Sequence, residues 1–260
     1  MHFVLSFVFG FLVSFISLKL KLLNFKGAAA TFILAVIIFC FGDVKWTIPI
    51  LTFFLLSSLL SKLRRKINPH VDSQLTKTDQ RDHVQVLANG GLPGLLILVN
   101  QLIPSELFYI AYVSALAGVC SDTWSTEIGT MFKTKTFDIL NFNIVEQGTS
   151  GGVSLPGFAG SILGAMIITL SAMAWIMDYK FLSVIFFSGI IGSIFDSLLG
   201  STLQAKYTCS VCSRTVERKI HCDRKTIHVK GFKRLDNDGV NFSTSIFGGL
   251  ISFLLTILIT

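Results

Sequence analysis

The sequence predicts an all-α, polytopic helical membrane protein that forms a single domain over residues 1–260. Composition, the length of the apolar blocks and the placement of the charges support this fold class. Hydrophobic residues make up 52% of the chain and charged residues only 14%, whereas soluble domains carry about a quarter charged residues. The apolar blocks of roughly 15 to 23 residues approach or span a ~30 Å hydrocarbon core as helices. Within lipid the backbone must satisfy its own hydrogen bonds, which favours helices for these blocks.

We predict about eight spans. They are Phe3–Leu18, Gly27–Phe41, Trp46–Leu60, Val84–Ile103, Leu107–Cys120, Phe158–Met177, Phe181–Leu203 and Asn241–Thr260. Pro49 and Pro93 are expected to kink or to begin their helices. The first span lacks a basic segment before it and an evident small-residue cleavage site. We therefore expect a retained anchor rather than a removed signal peptide.

The charges between the blocks test this map of spans. With eight spans, four loops share one side of the membrane: Lys19–Lys26, Ser61–His83, Ser121–Pro156 and Gln204–Val240. All Lys and Arg residues except Lys45 and Lys180 fall in these loops. The positive-inside rule assigns these loops to the cytoplasm and both termini to the outside. For a bacterial source, the membrane is predicted to be the cytoplasmic membrane. Topology thus explains the net charge of +7, and we expect no nucleic-acid partner.

Four polar segments at or near the cytoplasmic ends of the spans are candidates for a site. The chain contains neither a Walker GxxxxGK[ST] motif nor a serine-hydrolase GxSxG elbow. The first segment is RDHVQVLANGG, in which Arg81, Gln85 and Asn89 lie four residues apart and share a helix face. These side chains are suited to donating hydrogen bonds to a phosphate; the alternative is a polar helix start at the membrane surface.

The second segment is GVCSDTWSTEIG, with the loop GTSGGVS downstream of it. Asp122 and Glu127 are separated by about 140° around a regular helix, so they bind one ion only if the helix unwinds. Otherwise they serve two different tasks. The loop is either a turn before a span or an anion nest of backbone N–H groups. The loop residues predicted to bind phosphate are Thr149, Ser150, Gly151, Gly152 and Ser154.

The third segment, FDSLLGS, contains Asp196 inside an apolar block. A carboxylate within a span costs roughly 2.5–3.5 kcal/mol on insertion scales, so we expect Asp196 to face a cavity or a partner. The small residues around Asp196, and the pair Gly160 and Gly164, indicate close packing of helices.

The fourth segment is KGFKRLDNDGVNFSTS. In an extended turn Asp236 and Asp238 point the same way and reach one hard cation, with Lys233 and Arg234 nearby for phosphates. The alternative is a solvated loop with a helix cap, because Asp and Asn are good caps. Mg²⁺ prefers one or two carboxylates together with phosphate oxygens and water. The predicted Mg²⁺ ligands are Asp122, Asp196, Asp236 and Asp238.

Cysteines form a separate candidate site in the loop Gln204–Val240. In a reducing compartment, cysteine pairs more often indicate a metal than a disulfide. One interpretation is a zinc site made by Cys209, Cys212, Cys222 and one histidine, with His221 as the first choice and His228 in the same loop. Adjacent His221 and Cys222 are awkward as two ligands of one ion, and the spacing departs from standard fingers.

Five segments, in order QVLANGG, SDTWSTEIG, GTSGGVS, FDSLLGS and LDNDGVNFSTS, resemble the integral-membrane family called domain of unknown function 92. This family includes the plant phytyl-phosphate kinase and vertebrate transmembrane protein 19, and the resemblance runs from about residue 20 to the end. It implies a prenyl-phosphate kinase-like transferase that phosphorylates an isoprenoid monophosphate to the diphosphate, with CTP or another nucleoside triphosphate as donor. It also implies a fold distantly similar to that of CTP-dependent membrane lipid kinases and cytidylyltransferases.

Carried over by motif, the resemblance assigns the catalytic positions to Asp122, Glu127 and Asp196, with Glu127 orienting the site. Phosphate binding is expected from Arg81, Asn89, Lys233, Arg234 and the loop Thr149–Ser154. The expected partners are the bilayer, an isoprenoid phosphate and a nucleotide. Two alternatives stay open: a CTP-dependent cytidylyltransferase that makes a CDP-lipid, and a transporter or lipid carrier in which Asp196 couples to an ion.

Overall fold

The computed structural model describes residues 2–69, 71 and 80–259, and seven helices form the main body of that part. They are α1 (His2–Lys19), α2 (Phe25–Ile67), α3 (His83–Leu102), α4 (Glu106–Met131), α5 (Leu155–Ala172), α6 (Tyr179–Thr202) and α7 (Asn237–Ile259). The predicted all-α membrane fold is confirmed, and four of these helices (α2, α5, α6 and α7) are long and apolar enough to cross a bilayer. The count of eight spans stays a prediction. Part of the loop Ser61–His83, and Thr260, lie outside the described residues.

Helix α2 contains two of the predicted spans because it folds back on itself at Asp43. The backbone of Asp43 has φ 52° and ψ −157°, which is not helical. A Cβ atom on Gly90 of α3 would lie 3.0 Å from the side chain of Leu34 and 3.6 Å from that of Ile50. In a straight helix, Leu34 and Ile50 would be about 24 Å apart. The two halves of α2 therefore lie side by side against α3.

Helix α4 lies at the centre of the bundle. Its segment 109–121 is buried without interruption, and it packs against α2, α3, α5, α6 and α7. Glycines allow the closest of these approaches: a Cβ atom on Gly160 would lie 2.4 Å from the carbonyl oxygen of Trp124. A Cβ atom on Gly192 would lie 3.0 Å from the Cα of Gly118. The small residues near Asp196 and in α5 thus serve helix packing, as their spacing predicts.

Two predicted loops contain small antiparallel sheets. Between α4 and α5, the strands β1 (Thr136–Asp138), β2 (Ile144–Val145) and β3 (Gly152–Val153) form a sheet of order β2-β1-β3. Between α6 and α7, the strands β4 (Lys206–Thr208), β5 (Thr215–Val216) and β8 (Ile227–Lys230) form a sheet of order β5-β4-β8. In the same loop β6 (Ile220–His221) and β7 (Arg224–Lys225) form a hairpin.

The four loops predicted to share one side of the membrane meet at one end of the bundle. The backbone N–H of Asn24 donates to the carbonyl oxygen of Arg81 at 3.1 Å, which joins the first loop to the second. The Nζ of Lys206 donates to the carbonyl oxygen of Ser150 at 2.9 Å, which joins the third loop to the fourth. This meeting of loops agrees with the alternation of the charges. The assignment of this end to the cytoplasm stays a prediction.

Candidate active site

A polar cavity of about 220 Å³ lies where the four loops meet. Its walls come from the loop ends of α2, α4, α6 and α7, from the start of α3 and from the two loops that contain the sheets. The predicted site residues that line it are Arg81, Gln85, Asn89, Asp122, Glu127, Thr149, Ser150, Gly151, Gly152, Ser154 and Asp196. The structure therefore brings residues predicted in three of the four candidate segments into one cavity, and the fourth segment reaches it through other residues.

Two carboxylates meet in this cavity. Asp122 of α4 and Asp196 of α6 have side chains in hydrogen-bonding contact. The hydroxyl of Thr244, on α7, donates to Oδ2 of Asp196 at 2.8 Å and fixes its orientation. The contact is possible because α4 and α6 approach closely at Gly118 and Gly192. Two carboxylates in contact repel each other when both are ionised, so the pair suits a divalent cation, which would neutralise both.

Glu127 has different contacts from Asp122, from which it is separated by about 140° around a regular helix. Its Oε2 accepts a hydrogen bond from Nε of Arg64 at 3.0 Å, and its Oε1 accepts one from the hydroxyl of Ser61. The Arg64 side chain is 2% exposed, so this is a buried ion pair. Glu127 thus joins the end of α2 to α4 and holds Arg64, which also lines the cavity, in place.

The backbone of the loop 148–154 has the shape that glycine permits. Gly148 and Gly151 both have φ 84°, a left-handed conformation that other residues rarely adopt. A Cβ atom on Gly151 would also lie 2.5 Å from the Cβ of Ser201 on α6. Both the conformation and the space at Gly151 therefore require glycine, and the loop packs directly on the end of α6.

Glu217 is a cavity residue that none of the motifs contains. It follows β5, and its Oε1 accepts the backbone N–H of Ser150 at 3.1 Å. Its Oε2 accepts a hydrogen bond from Nε2 of Gln204 at 2.9 Å. The N–H of Gly152 donates to the carbonyl oxygen of Thr149 at 2.9 Å. The loop is therefore not an open anion nest in this structure, because a carboxylate already accepts from Ser150 and a phosphate would have to displace it.

Two charged groups outside the spans support the loop 148–154. Asp138 of β1 accepts hydrogen bonds from the Ser201 hydroxyl at 2.7 Å and from two backbone N–H groups of the following turn. Burial opposes ionisation of Asp138, but these hydrogen bonds to its charged form outweigh burial and hold its pKa below the ordinary value. Burial lowers the pKa of Lys206, and the nearby carboxylate of Glu217 opposes this shift. The Nζ of Lys206 donates a hydrogen bond to the carbonyl oxygen of Ser150.

An apolar cavity adjoins the polar one. It lies between α1, both halves of α2 and the first turns of α3. Arg81, Gln85 and Asn89 line both cavities. The guanidinium carbon of Arg81 lies 5.5 Å from the ring centroid of Phe53 and 5.7 Å from that of Phe54, and both rings line the apolar cavity. Arg81 therefore lies at the boundary between the polar cavity and the apolar cavity.

Comparison with known proteins places the chain in a family. A family model described as integral membrane protein DUF92 matches residues 8–249. The chain belongs to the DUF92 family. Protein PGR of Arabidopsis thaliana is 32% identical over 282 residues, which cover 98% of this chain and 95% of PGR. These matches confirm the resemblance carried by the five sequence segments.

Two further DUF92-type relatives have lower identity. The uncharacterized membrane protein MJ0933 of Methanocaldococcus jannaschii is 29% identical over 239 residues, which cover 91% of this chain and 87% of MJ0933. The chloroplastic protein VTE6 of Arabidopsis thaliana is 26% identical over 152 residues, which cover 58% of this chain and 39% of VTE6. A search of the solved structures gave no significant match.

The fourth segment of this DUF92 protein differs most from its predicted geometry. Helix α7 begins at Asn237, so the extended turn expected for a shared cation does not form. Asp236 is exposed and caps the helix by accepting the N–H of Gly239 at 3.1 Å, while Asp238 is buried in the first turn. Asn237 and Asn241 line the polar cavity instead. The predicted residues outside the lining of this cavity are Asp236, Asp238, Lys233 and Arg234.

The polar cavity also has a basic wall, whose residues lie outside all of the sequence motifs. Lys62, Arg64 and Arg65, at the end of α2, line the cavity and form this basic wall. The run KLRRK is the sequence signal for this wall, but the positive-inside rule accounts for the same run. Cations and a pair of carboxylates in one cavity form the charge pattern that a metal-bound polyphosphate requires.

Proposed function

We propose that this protein is a membrane phosphotransferase that converts an isoprenoid monophosphate to the diphosphate with CTP or another nucleoside triphosphate as donor. The observation that carries the proposal is the junction of a polar, acid-containing cavity with an apolar cavity at Arg81. A prenyl phosphate has the same two parts, a charged head and a hydrocarbon tail. The resemblance of the sequence segments to the phytyl-phosphate kinase branch of the family supports the same substrate class.

The boundary residue Arg81 binds the phosphate of the acceptor in this proposal. Packing of its guanidinium near Phe53 and Phe54 leaves the N–H groups to donate toward the polar cavity. Gln85 and Asn89 follow on the same face of α3 and line both cavities. The hydrocarbon tail then extends into the apolar cavity, where its burial contributes about 0.8 kcal/mol per CH₂ group.

The donor nucleotide binds with its phosphates between the basic wall and the carboxylate pair. Lys62 and Arg65 bind phosphate oxygens, and Asp122 and Asp196 would hold Mg²⁺, whose charge would neutralise the phosphates. The terminal phosphoryl group passes from the donor to an oxygen of the prenyl phosphate, and the nucleoside diphosphate leaves. The acceptor oxygen is already ionised, so the reaction needs positioning and charge neutralisation more than a general base.

The decisive experiment uses the purified full-length protein in detergent with γ-labelled CTP and ATP. We expect the label to appear in a prenyl diphosphate when phytyl, geranylgeranyl or farnesyl phosphate is the acceptor. Failure of transfer with every donor and acceptor would refute the proposal. Release of pyrophosphate with incorporation of α-labelled CTP into lipid would establish a cytidylyltransferase instead. Ion-coupled transport in proteoliposomes without nucleotide turnover would establish a carrier.

Filling the apolar cavity should weaken binding of long prenyl chains. Ala35 of α2 lines this cavity, so Ala35→Trp places an indole where the tail is proposed to lie. We expect the KM for geranylgeranyl phosphate to rise by about tenfold, equivalent to ~1.4 kcal/mol, with a smaller change for dimethylallyl phosphate. Ile33→Trp is the matched control, because Ile33 is 58% exposed on the same helix. An equal effect of both substitutions on both substrates would contradict this placement of the tail.

A further inference from the structure

Four potential metal ligands meet in the loop between α6 and α7, away from the carboxylate pair. This Cys3His cluster consists of Cys209, Cys212, His221 and Cys222, whose ligand atoms all lie within 4.8 Å of one another. The Nδ1 atom of His221 lies 3.6 Å from Sγ of Cys212 and 3.2 Å from Sγ of Cys222. Among residues 2–69, 71 and 80–259 it is the one group of three or more His, Cys, Asp or Glu residues with such spacing.

The first half of the cluster is a tight turn between β4 and β5. The backbone N–H of Val211 donates to Sγ of Cys209 at 3.4 Å. The N–H of Ser213 donates to the carbonyl oxygen of Cys209 at 2.9 Å, and Ser213 itself is left-handed with φ 57°. The turn directs the side chains of Cys209 and Cys212 to one point, and backbone N–H groups favour sulfur in its anionic, metal-binding form.

The second half is the hairpin between β6 and β7. Its two loop residues, Cys222 and Asp223, have φ 49° and 56°, as a two-residue type I′ turn requires. Adjacent residues of a regular strand point to opposite faces, which is why adjacent ligands are awkward in the sequence. The left-handed turn at Cys222 removes this obstacle and brings its sulfur beside the His221 ring. His228 packs instead against Tyr207, with ring centroids 5.4 Å apart.

The spacing and chemistry of the cluster select zinc over a disulfide. Tetrahedral Zn²⁺ with sulfur ligands at about 2.3 Å separates neighbouring ligand atoms by about 3.8 Å. The distances of 3.2 and 3.6 Å from His221 Nδ1 and the upper limit of 4.8 Å within the cluster lie on either side of this value. Three thiols and one imidazole form a recognised structural zinc set. All three cysteines of the cluster are free in the structure, and one disulfide would leave the third thiol and the imidazole without a role.

The segment that contains the cluster has only a very small hydrophobic core to stabilise its fold. Its buried apolar residues are Ala205, Tyr207 and Val216, and its strands contain two to four residues each. So small a core does not offset the conformational entropy of ordering the loop, and small modules of this kind use a metal or disulfides as a staple.

We propose that the Cys3His cluster binds one structural Zn²⁺ ion, which folds the segment 204–230 and so holds Glu217 against the loop 148–154. Glu217 follows β5 and lies in the chain between the two metal-binding turns. With the turns fixed, its carboxylate reaches the N–H of Ser150 and the amide of Gln204. The zinc ion therefore sets the position of one wall of the polar cavity from outside it.

Metal analysis of the full-length protein, purified from cells grown with zinc, tests the site. We expect one zinc ion per chain in the natural protein and at least a tenfold lower content in Cys212→Ser and Cys222→Ser. Cys40→Ser is the matched control, because Cys40 lies in α2 and outside the cluster, and it should retain full zinc. Absence of zinc from the natural protein, full zinc in Cys212→Ser, or a disulfide among these cysteines would overturn the proposal.

Two measurements on the natural protein avoid the risk that a variant fails to fold. X-ray absorption at the zinc edge should show three sulfur ligands and one nitrogen. Removal of zinc with a chelator should speed trypsin cleavage within this segment at least tenfold, because its exposed sites then lie in an unfolded loop. These sites are Arg214, Lys219, Arg224, Lys225 and Lys230. Unchanged cleavage, or a different ligand set, would refute the structural role, and neither readout depends on phosphoryl transfer.

Discussion

Asp122→Asn and Asp196→Asn should each lower kcat for phosphoryl transfer by about 10²–10³-fold, the usual effect of removing one preorganised electrostatic group. Asparagine keeps the size of the side chain but removes the charge that attracts a divalent cation. The two carboxylates are in contact, so either substitution halves the charge available to one ion. Rates at saturating prenyl phosphate and nucleotide, measured across a Mg²⁺ titration, check this expectation.

The thermal midpoint separates a functional role of this pair from a structural one. Without a metal ion the two carboxylates repel each other, so either Asn variant should melt at the same temperature as the natural protein or higher. Asp178→Asn is the matched control: Asp178 caps the opposite end of α6 by accepting the N–H of Lys180 at 2.8 Å, and Asn is an equally good cap. Full activity in Asp196→Asn, or a lowered midpoint with lost activity, would contradict the proposed role.

The fold class and the two members of the carboxylate pair can be predicted from the sequence, because the patterns that indicate them are local. Apolar block length and loop charge report on each helix separately, and an acid within an apolar block needs a physical reason wherever it occurs. Asp196 is such an acid, Asp122 follows directly after another apolar block, and the structure brings the two into contact. The hairpin in α2 can also be predicted, because the polar interruption near Asp43 divides one long apolar stretch into two.

Other parts of the site depend on partners that no local pattern reveals. Glu217 accepts from Ser150, 67 residues away, and Arg64 pairs with Glu127 across 63 residues. In the sequence, Glu217 and Arg64 look like ordinary members of solvated charged loops. The Asp236 segment shows the converse problem, because its local pattern fits both a metal chelate and a helix cap. Only the exact first residue of α7, which sequence patterns define poorly, decides between them.

The buried ion pair at the end of α2 should give the largest change in stability. We expect Glu127→Gln to lower the free energy of unfolding by about 3–5 kcal/mol, because it removes the carboxylate of a buried ion pair in which the Arg64 side chain is 2% exposed. Thermal and denaturant unfolding of the detergent-solubilised protein measure this loss. Glu106→Gln is the matched control, since Glu106 is exposed in the first turn of the same helix and should cost less than about 1 kcal/mol.

The double variant tests whether the cost arises from the pair itself. The combination of Arg64→Gln and Glu127→Gln removes the buried cation together with its carboxylate, so the double variant should be more stable than Glu127→Gln alone. Its activity should nevertheless remain low, because Arg64 belongs to the basic wall that is proposed to face the donor phosphates. A double variant as unstable as the sum of the two single variants would show that Arg64 and Glu127 act independently, and Glu127 would then lose its role in positioning that wall.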